Sequence, residues 1–258
     1  IRSSLRFVGA DGLKKSRIIL VTSPTPGDGK STITANLALT LSFATTNKIL
    51  LIDGDMRRGG LHRLFGLEGE PGLAEVLSGE AEWRKVVQPT RYKNLDFLSA
   101  GEPTSHPGEL IFSAACETMM EELRQEYEVV IFDTAPVLAV DDTPSLAPKV
   151  DGTLVLYRAG RTSCRLMRNT LESLYSRNAK VLGIIFNGVD PKQPEYGYYK
   201  YTEYYYSKTV SRKKPAAEPG NVSAPEVTVR AEERVIAAPT TTANGSAGGP
   251  PAITVKKA

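Results

Sequence analysis

Short apolar runs rich in β-branched residues alternate along the chain with segments whose apolar residues recur every three or four positions. The first kind of run predicts buried strands at residues 17–23, 48–53, 95–99, 128–133, 152–157 and 181–186. The second kind predicts helices at residues 30–44, 109–127 and 162–177. Because strands separated by helices pair in parallel, the predicted fold is α/β, a mostly parallel sheet flanked by helices.

The first predicted strand leads into Gly-Asp-Gly-Lys-Ser-Thr, which opens the first predicted helix. In such a loop glycines let backbone N–H groups approach phosphate oxygens, and the helix N-terminus adds partial positive charge. Lys30 would then reach the β- and γ-phosphates of ATP, and the Ser31 hydroxyl would hold Mg²⁺. Pro24 replaces the usual first glycine, and a plain strand-to-helix turn is the alternative. The predicted nucleotide contacts are Pro26, Gly27, Asp28, Gly29, Lys30, Ser31 and Thr32.

Aspartates stand at the ends of two further predicted strands. Asp53 and Asp55 follow the strand at 48–53, and Asp133 ends the strand at 128–133. A carboxylate after a buried strand, opposite a phosphate loop, is typical of sites that hold Mg²⁺ or its water shell. A single aspartate at a strand end is commonly a turn or cap residue. Two such ends together with the loop predict a nucleotide and magnesium site.

These motifs together resemble the cytoplasmic catalytic domain of the bacterial tyrosine kinases of capsule and exopolysaccharide synthesis. That family has a phosphate-loop fold of the MinD/ParA-like type, and the resemblance covers about residues 1–206. The matching motifs are Pro-Gly-x-Gly-Lys-Ser at 26–31, Asp-x-Asp-x-Arg at 53–57, Pro-x-Glu-Leu at 107–110, Asp-x-x-Pro at 133–136 and Asn-Gly at 187–188.

The resemblance implies a protein-tyrosine kinase that uses ATP and Mg²⁺. It implies catalytic roles for Lys30, Asp53, Asp55 and Asp133, and a position for Asn187 beside the adenine. A nearby carboxylate must help to remove the tyrosine proton, since the tyrosine pKa is ordinarily near 10. Asp53 is the candidate base, while Ser31, Asp55 and Asp133 are the candidate magnesium ligands. The division of roles between Asp53 and Asp55 stays open.

Seven of the eleven tyrosines are concentrated within eleven residues: Tyr196, Tyr198, Tyr199, Tyr201, Tyr204, Tyr205 and Tyr206. An aromatic edge strand or a docking patch is one interpretation of this tyrosine cluster. The resemblance favours another, a set of phosphate acceptors that neighbouring subunits phosphorylate and whose state regulates assembly. Each phosphate would add a charge of about −1.5 to −2.

Charge and composition divide the chain into three parts. We expect a kinase domain at 1–190, a tyrosine-rich segment at 191–207 and a disordered Ala/Pro-rich tail at 208–258. The tail holds eight basic and four acidic residues, so the net charge of +3 divides into +4 for the tail and −1 for residues 1–207. This balance gives no support for a nucleic-acid partner. Two cysteines exclude a disulfide framework and a four-cysteine zinc site.

The resemblance also implies partners and a location. We expect a transmembrane activator of the chain-length-determinant type, fused upstream or separate, and protein-tyrosine substrates. We expect self-association in trans, with Arg2 and Arg6 similar to the family's ring-packing arginines but one residue further apart. No apolar run approaches the roughly 18 residues of a membrane span. The chain, which begins at Ile1, is therefore expected to be a segment of a longer protein at the cytoplasmic face of the bacterial inner membrane.

Two other functions compete with the kinase hypothesis. A MinD- or ParA-type positioning or partitioning ATPase would carry Lys-Gly-Gly where this chain has Thr-Pro-Gly at 25–27, and would lack the tyrosine cluster. A nucleotide-binding adaptor without catalysis would not need the lysine, serine and aspartates that the loop and strand ends retain.

Overall fold

The computed structural model describes residues 16–190. Its strands are β1 (Arg17–Thr22), β2 (Ile49–Asp53), β3 (Gln88–Pro89), β4 (Leu95–Leu98), β5 (Val129–Asp133), β6 (Gly152–Arg158) and β7 (Val181–Asn187). Its helices are α1 (Lys30–Ser42), α2 (Leu61–Phe65), α3 (Leu73–Ser78), α4 (Trp83–Val86), α5 (Pro107–Ile111), α6 (Ala114–Glu126), α7 (Asp142–Leu146) and α8 (Cys164–Tyr175), with a short 3₁₀ turn at Ala147–Lys149. Arg2, Arg6, the tyrosine cluster and the predicted tail lie outside the described residues.

The seven strands form one sheet in the order β3-β4-β2-β5-β1-β6-β7. Every neighbouring pair is parallel except β3 with β4. The predicted mostly parallel α/β fold and all six predicted strands are therefore confirmed, with bounds shifted by one residue or so. Within residues 16–190, no helix has the length and apolarity needed to cross a bilayer.

The sheet separates two apolar layers because successive side chains of a strand point to opposite faces. In β1, Ile18 and Leu20 belong to the layer that also contains Leu123 of α6. Ile19 and Val21 belong to the other layer, which is covered by α1. Burial on both faces explains why these strands read as continuous apolar runs in the sequence.

The predicted single helix at 109–127 is wrong, since two helices occupy this segment. Helix α5 ends at Ile111, and the Ser113 side chain caps α6 by accepting a hydrogen bond from the Cys116 N–H at 3.2 Å. A serine hydroxyl competes for backbone N–H groups and is a favoured N-cap, so it starts a new helix here. The apolar residues keep their helical spacing across the break between α5 and α6, so the break is not visible in the sequence pattern.

Strand register brings the predicted site together. In the parallel pair of β2 and β5, Asp53 lies opposite Asp133, and Val21 of β1 lies on the other side of Asp133. All three strands end at the same edge of the sheet, so the loop that follows β1 lies beside both aspartates. Sites in open α/β sheets form at this edge.

Candidate active site

The loop between β1 and α1 has the backbone conformation of a phosphate cradle. Gly27 and Gly29 have φ angles of 80° and 95°, in the left-handed region that favours glycine. Gly29 is the N-cap of α1, and no side chain caps this helix. The N–H groups of its first turn are thus available to an anion, with the helix dipole in support.

The side chain of Asp28 organises this loop from within. It is fully buried, and its Oδ2 atom accepts hydrogen bonds from the Thr25 N–H and hydroxyl, both at 3.1 Å. Its Oδ1 atom accepts from the Thr162 hydroxyl at 3.0 Å. Both carboxylate oxygens are therefore committed to the protein, and only the backbone of Asp28 can meet a nucleotide.

Three side chains at and just after the ends of β6 and β7 hold the loop carbonyls. Arg158 donates to the Gly27 carbonyl at 2.5 Å, Arg161 donates to the Pro26 carbonyl at 3.3 Å, and Asn187 donates to the Asp28 carbonyl at 2.8 Å. Asn187, which sequence reasoning placed by the adenine, thus fixes the loop. Both arginines and Thr162 were missed because they lie more than 130 positions away, and their only signal is their place after a predicted strand.

Asp133 lies beneath the first turn of α1. It is buried, its Oδ1 atom accepts from the Thr34 hydroxyl at 3.0 Å, and the Ser31 hydroxyl also hydrogen-bonds to it. Burial raises the pKa of Asp133 to about 7, and the neighbouring Asp53 carboxylate adds to the rise. The Ser31 hydrogen bond and the Lys30 ammonium oppose it. Without a cation, the ionised form of Asp133 is therefore disfavoured beside the loop.

The two aspartates at the end of β2 have different surroundings. Asp53 is buried, and its Oδ2 atom accepts from the N–H groups of Gly60 and Leu61 at 2.8 and 2.9 Å. Its Oδ1 atom has one long bond, 3.3 Å from the Asp55 nitrogen. Burial raises the Asp53 pKa to about 6 against the effect of these hydrogen bonds. Asp55 is half-buried and therefore the more accessible carboxylate.

Arg57 ties the loop after β2 to helix α7. Its Nε and Nη2 atoms donate to the two carboxylate oxygens of Asp142 at 2.8 and 3.3 Å. Such a two-point contact fixes orientation as well as distance. Asp142 was missed by sequence reasoning because an aspartate at the start of a short helix looks like an ordinary first-turn residue.

The donor set fits a magnesium nucleotide. Ser31, Asp55 and Asp133 offer hydroxyl and carboxylate oxygens, which Mg²⁺ prefers, and the buried carboxylates carry charge that a cation would neutralise. Among residues 16–190 there is no group of three His, Cys, Asp or Glu side chains able to hold a metal ion. Mg²⁺ commonly binds through one or two carboxylates plus phosphate oxygens and water, so the residues present suit an ion that arrives with a nucleotide.

Comparison with known proteins agrees with this geometry. The family model described as "AAA domain" matches residues 16–154. The tyrosine-protein kinase YwqD of Bacillus subtilis is 38% identical over 200 residues, which cover 77% of this chain and 83% of the relative. The chain belongs to the bacterial tyrosine-protein kinase family. The predicted resemblance is therefore confirmed.

The chain spans less than a third of the length of some of the relatives it matches. The putative tyrosine-protein kinase EpsB of Ralstonia nicotianae is 37% identical over 84% of this chain, and the match spans only 29% of EpsB. The succinoglycan biosynthesis transport protein ExoP of Rhizobium meliloti is 35% identical over 76% of this chain and is matched over 26% of its length.

Solved structures give the same family. The kinase domain of the Escherichia coli tyrosine kinase Etk superposes with a TM-score of 0.69 at 29% identity, covering 85% of this chain and 77% of that one. The septum site-determining protein MinD of Pyrococcus horikoshii, solved with Mg-ADP, has a TM-score of 0.55 at 21% identity, covering 66% of this chain and 70% of that one. This second likeness shows the fold alone, so the predicted MinD/ParA-like fold is confirmed.

Proposed function

We propose that the chain is an ATP-dependent protein-tyrosine kinase domain that phosphorylates the tyrosine cluster of a neighbouring copy. The observation that carries this proposal is the register of β2 and β5, which sets Asp53 opposite Asp133 beside Lys30 and Ser31. Membership of the tyrosine-kinase family supports the choice of a tyrosine hydroxyl as the acceptor.

The loop would bind the phosphates of ATP. The N–H groups at the start of α1 and the Lys30 ammonium would meet the negative charge of the phosphates, and the glycines would let the phosphate oxygens approach the backbone closely. Asp28, Arg158 and Asn187 keep the loop in this shape, so little order has to be gained when ATP binds. Bound Mg²⁺, held by Ser31, Asp55 and Asp133, would neutralise the charge that develops on the transferring phosphoryl group.

The proton of the tyrosine would pass to Asp53. A base works best when its pKa is close to the working pH, and burial moves the Asp53 pKa to about 6. Within residues 16–190 the Oδ1 atom accepts one long hydrogen bond from the backbone, that of Asp55, so it is the less engaged oxygen of this buried carboxylate. Oδ2 holds the turn at residues 60–61 and thereby keeps the carboxylate oriented.

We further propose that the phosphorylation state of the cluster regulates the polymerisation and export of capsular polysaccharide or exopolysaccharide. Several phosphates within eleven residues would repel one another and any acidic neighbour, which weakens assembly between copies. The similarity to ExoP, a succinoglycan biosynthesis transport protein, supports this setting. A transmembrane activator, other tyrosine substrates and a place at the cytoplasmic face of the inner membrane complete the proposal.

Transfer of label from γ-labelled ATP tests this function. With Mg²⁺ and a membrane activator of the chain-length-determinant type present, we expect label on tyrosine, and mass spectrometry should find phosphate on residues 196–206. Release of inorganic phosphate without labelled tyrosine would instead identify a positioning ATPase. Tight ATP binding without turnover would identify an adaptor.

The Gly29→Ala substitution should weaken ATP binding at least tenfold. A Cβ at this position would lie 2.3 Å from Nδ2 of Asn187, and φ of 95° strains any other residue. Gly160→Ala is the matched control, because its φ is also positive, at 71°, while nothing lies within 4 Å of the added carbon. Titration with a fluorescent ATP analogue measures both. Equal affinities in the two variants would contradict a loop fitted to phosphate by the Asn187 contact.

A further inference from the structure

A cavity of about 760 Å³ lies next to Asp55, and the following residue, Met56, is part of its lining. Its walls come from the loop after β2, from α2 and from the loops that follow α2 and β4. The charged and titratable side chains that line it are Arg57, Arg58, His62, Arg63, Glu68 and Glu70. The proposed mechanism uses none of these side chains, although the cavity adjoins the carboxylates that would receive the acceptor tyrosine.

The arginines of this cavity differ in their partners. Arg57 is engaged by Asp142 and by the Ser105 carbonyl. The guanidinium groups of Arg58 and Arg63 are exposed, and within residues 16–190 neither has a hydrogen bond or an ion pair. Glu68 and Glu70 line the same cavity, yet neither lies within ion-pair distance of an arginine in the described part of the chain. Two cationic groups are therefore left for a ligand.

Guanidinium groups bind phosphate and carboxylate oxygens through two parallel N–H donors. The proposed acceptor segment is rich in groups that could supply such oxygens. Tyr204, Tyr205 and Tyr206 are consecutive and follow Glu203, so the residue beside an acceptor is often another tyrosine or an acid. A phosphorylated neighbour carries a charge of about −1.5 to −2.

The reach of an extended peptide connects the two sites. Successive residues of such a chain advance about 3.3–3.6 Å, so a side chain one to three positions from the acceptor lies about 3–11 Å further along. An acceptor hydroxyl at Asp53 would therefore bring its flanking residues over the cavity that starts at Met56. Lys200 and Lys208 flank the same tyrosines, and their positive charge is opposite in sign to that of Glu68 and Glu70.

We propose that this cavity is a subsite for an anionic residue next to the acceptor tyrosine, phosphotyrosine above all. Arg58 and Arg63 bind the phosphate, so that one phosphorylation in the cluster promotes the next. The inference rests on the proposed kinase function. It adds that the rate of transfer changes along the tyrosine cluster: the first phosphate is transferred slowly and the later ones faster.

Synthetic peptides of residues 196–208 with one acceptor tyrosine, the other tyrosines replaced by phenylalanine, test the subsite. One peptide carries phosphotyrosine beside the acceptor, one carries glutamate there, and one carries phenylalanine. We expect the KM of the phosphotyrosine peptide to be about tenfold below that of the phenylalanine peptide, with the glutamate peptide between them. In an Arg58→Ala/Arg63→Ala variant the ratio of these KM values should approach one. Arg165→Ala/Arg168→Ala, which removes two exposed arginines from α8, should keep the ratio.

Fluorescence anisotropy of the same phosphopeptide without ATP gives a readout that needs no catalysis. Transfer to all three peptides with equal KM would overturn the subsite and leave the kinase function intact. Absence of transfer to every peptide would overturn the kinase function, while tight phosphopeptide binding lost in the Arg58/Arg63 variant would still support the subsite. Displacement of the phosphopeptide by inorganic phosphate at equal concentration would reduce the cavity to a general anion site and overturn peptide recognition.

Discussion

Replacing Lys30 by methionine should lower the rate of tyrosine phosphorylation by at least about a thousandfold. Lys30 is the first residue of α1, and only 9% of it is exposed. Its ammonium group lies close enough to Asp133 to lower the pKa of that carboxyl group. Methionine keeps the length and apolar stem of the side chain and removes only the positive charge that would meet the β- and γ-phosphates. The measurement is the initial rate of label transfer to tyrosine at saturating ATP.

Lys85→Met is the matched control for this experiment. Lys85 is exposed on α4 and pairs with Glu82 in a contact at the surface, where such pairs contribute little to stability. The control should retain full activity, and both variants should unfold at temperatures close to that of the parent. A Lys30→Met enzyme with more than a tenth of the parent rate would remove the phosphate loop from the proposed mechanism.

Asp53→Asn should lower kcat by about 10²- to 10⁴-fold and leave ATP affinity nearly unchanged. The amide oxygen of asparagine can still accept from the Gly60 and Leu61 N–H groups, so the turn after β2 is retained. What is lost is the carboxylate that would take the tyrosine proton. Single-turnover kinetics and ATP titration separate the two effects.

Asp55→Asn provides the comparison that assigns the roles. This carboxylate is half-buried, and its Oδ1 atom accepts from the Arg58 N–H at 3.0 Å. A magnesium ligand at this position predicts that the variant needs a higher Mg²⁺ concentration and recovers part of its rate there. If Asp53→Asn responds to Mg²⁺ and Asp55→Asn does not, the proposed assignments of base and magnesium ligand must be exchanged.

Much of the fold was predictable because its strands are buried on both faces. Continuous apolar runs such as Ile18–Val21 are typical of strands buried on both faces, and the alternation with helices favours parallel pairing. The positions of Asp53 and Asp133 at strand ends, and of Lys30 in the loop and helix that follow β1, were predictable for the same reason. Once the strands are parallel, these residues must share one edge of the sheet.

The supporting contacts were not predictable, since they join residues with no local relation. Arg57 meets Asp142 across 85 positions, and Asp28 meets Thr162 across 134. Short helices such as α2 and α3 have too few residues to show a period. The cavity beside Asp55 is built from α2 and the loops around it, so its arginines could be read in the sequence but their convergence could not.

The facing aspartates of β2 and β5 also affect the stability of the domain. Folding raises the pKa of Asp53 to about 6 and that of Asp133 to about 7, from an ordinary value of 3.8. At pH values between 3.8 and these raised pKa values, the native carboxyl groups retain protons that the unfolded chain has already released. These two groups therefore lower the free energy of unfolding as the pH rises. The ligand-free domain therefore carries a destabilising charge pair at neutral pH. Any ligand that binds only the native state and neutralises this pair therefore also raises the free energy of unfolding of the domain.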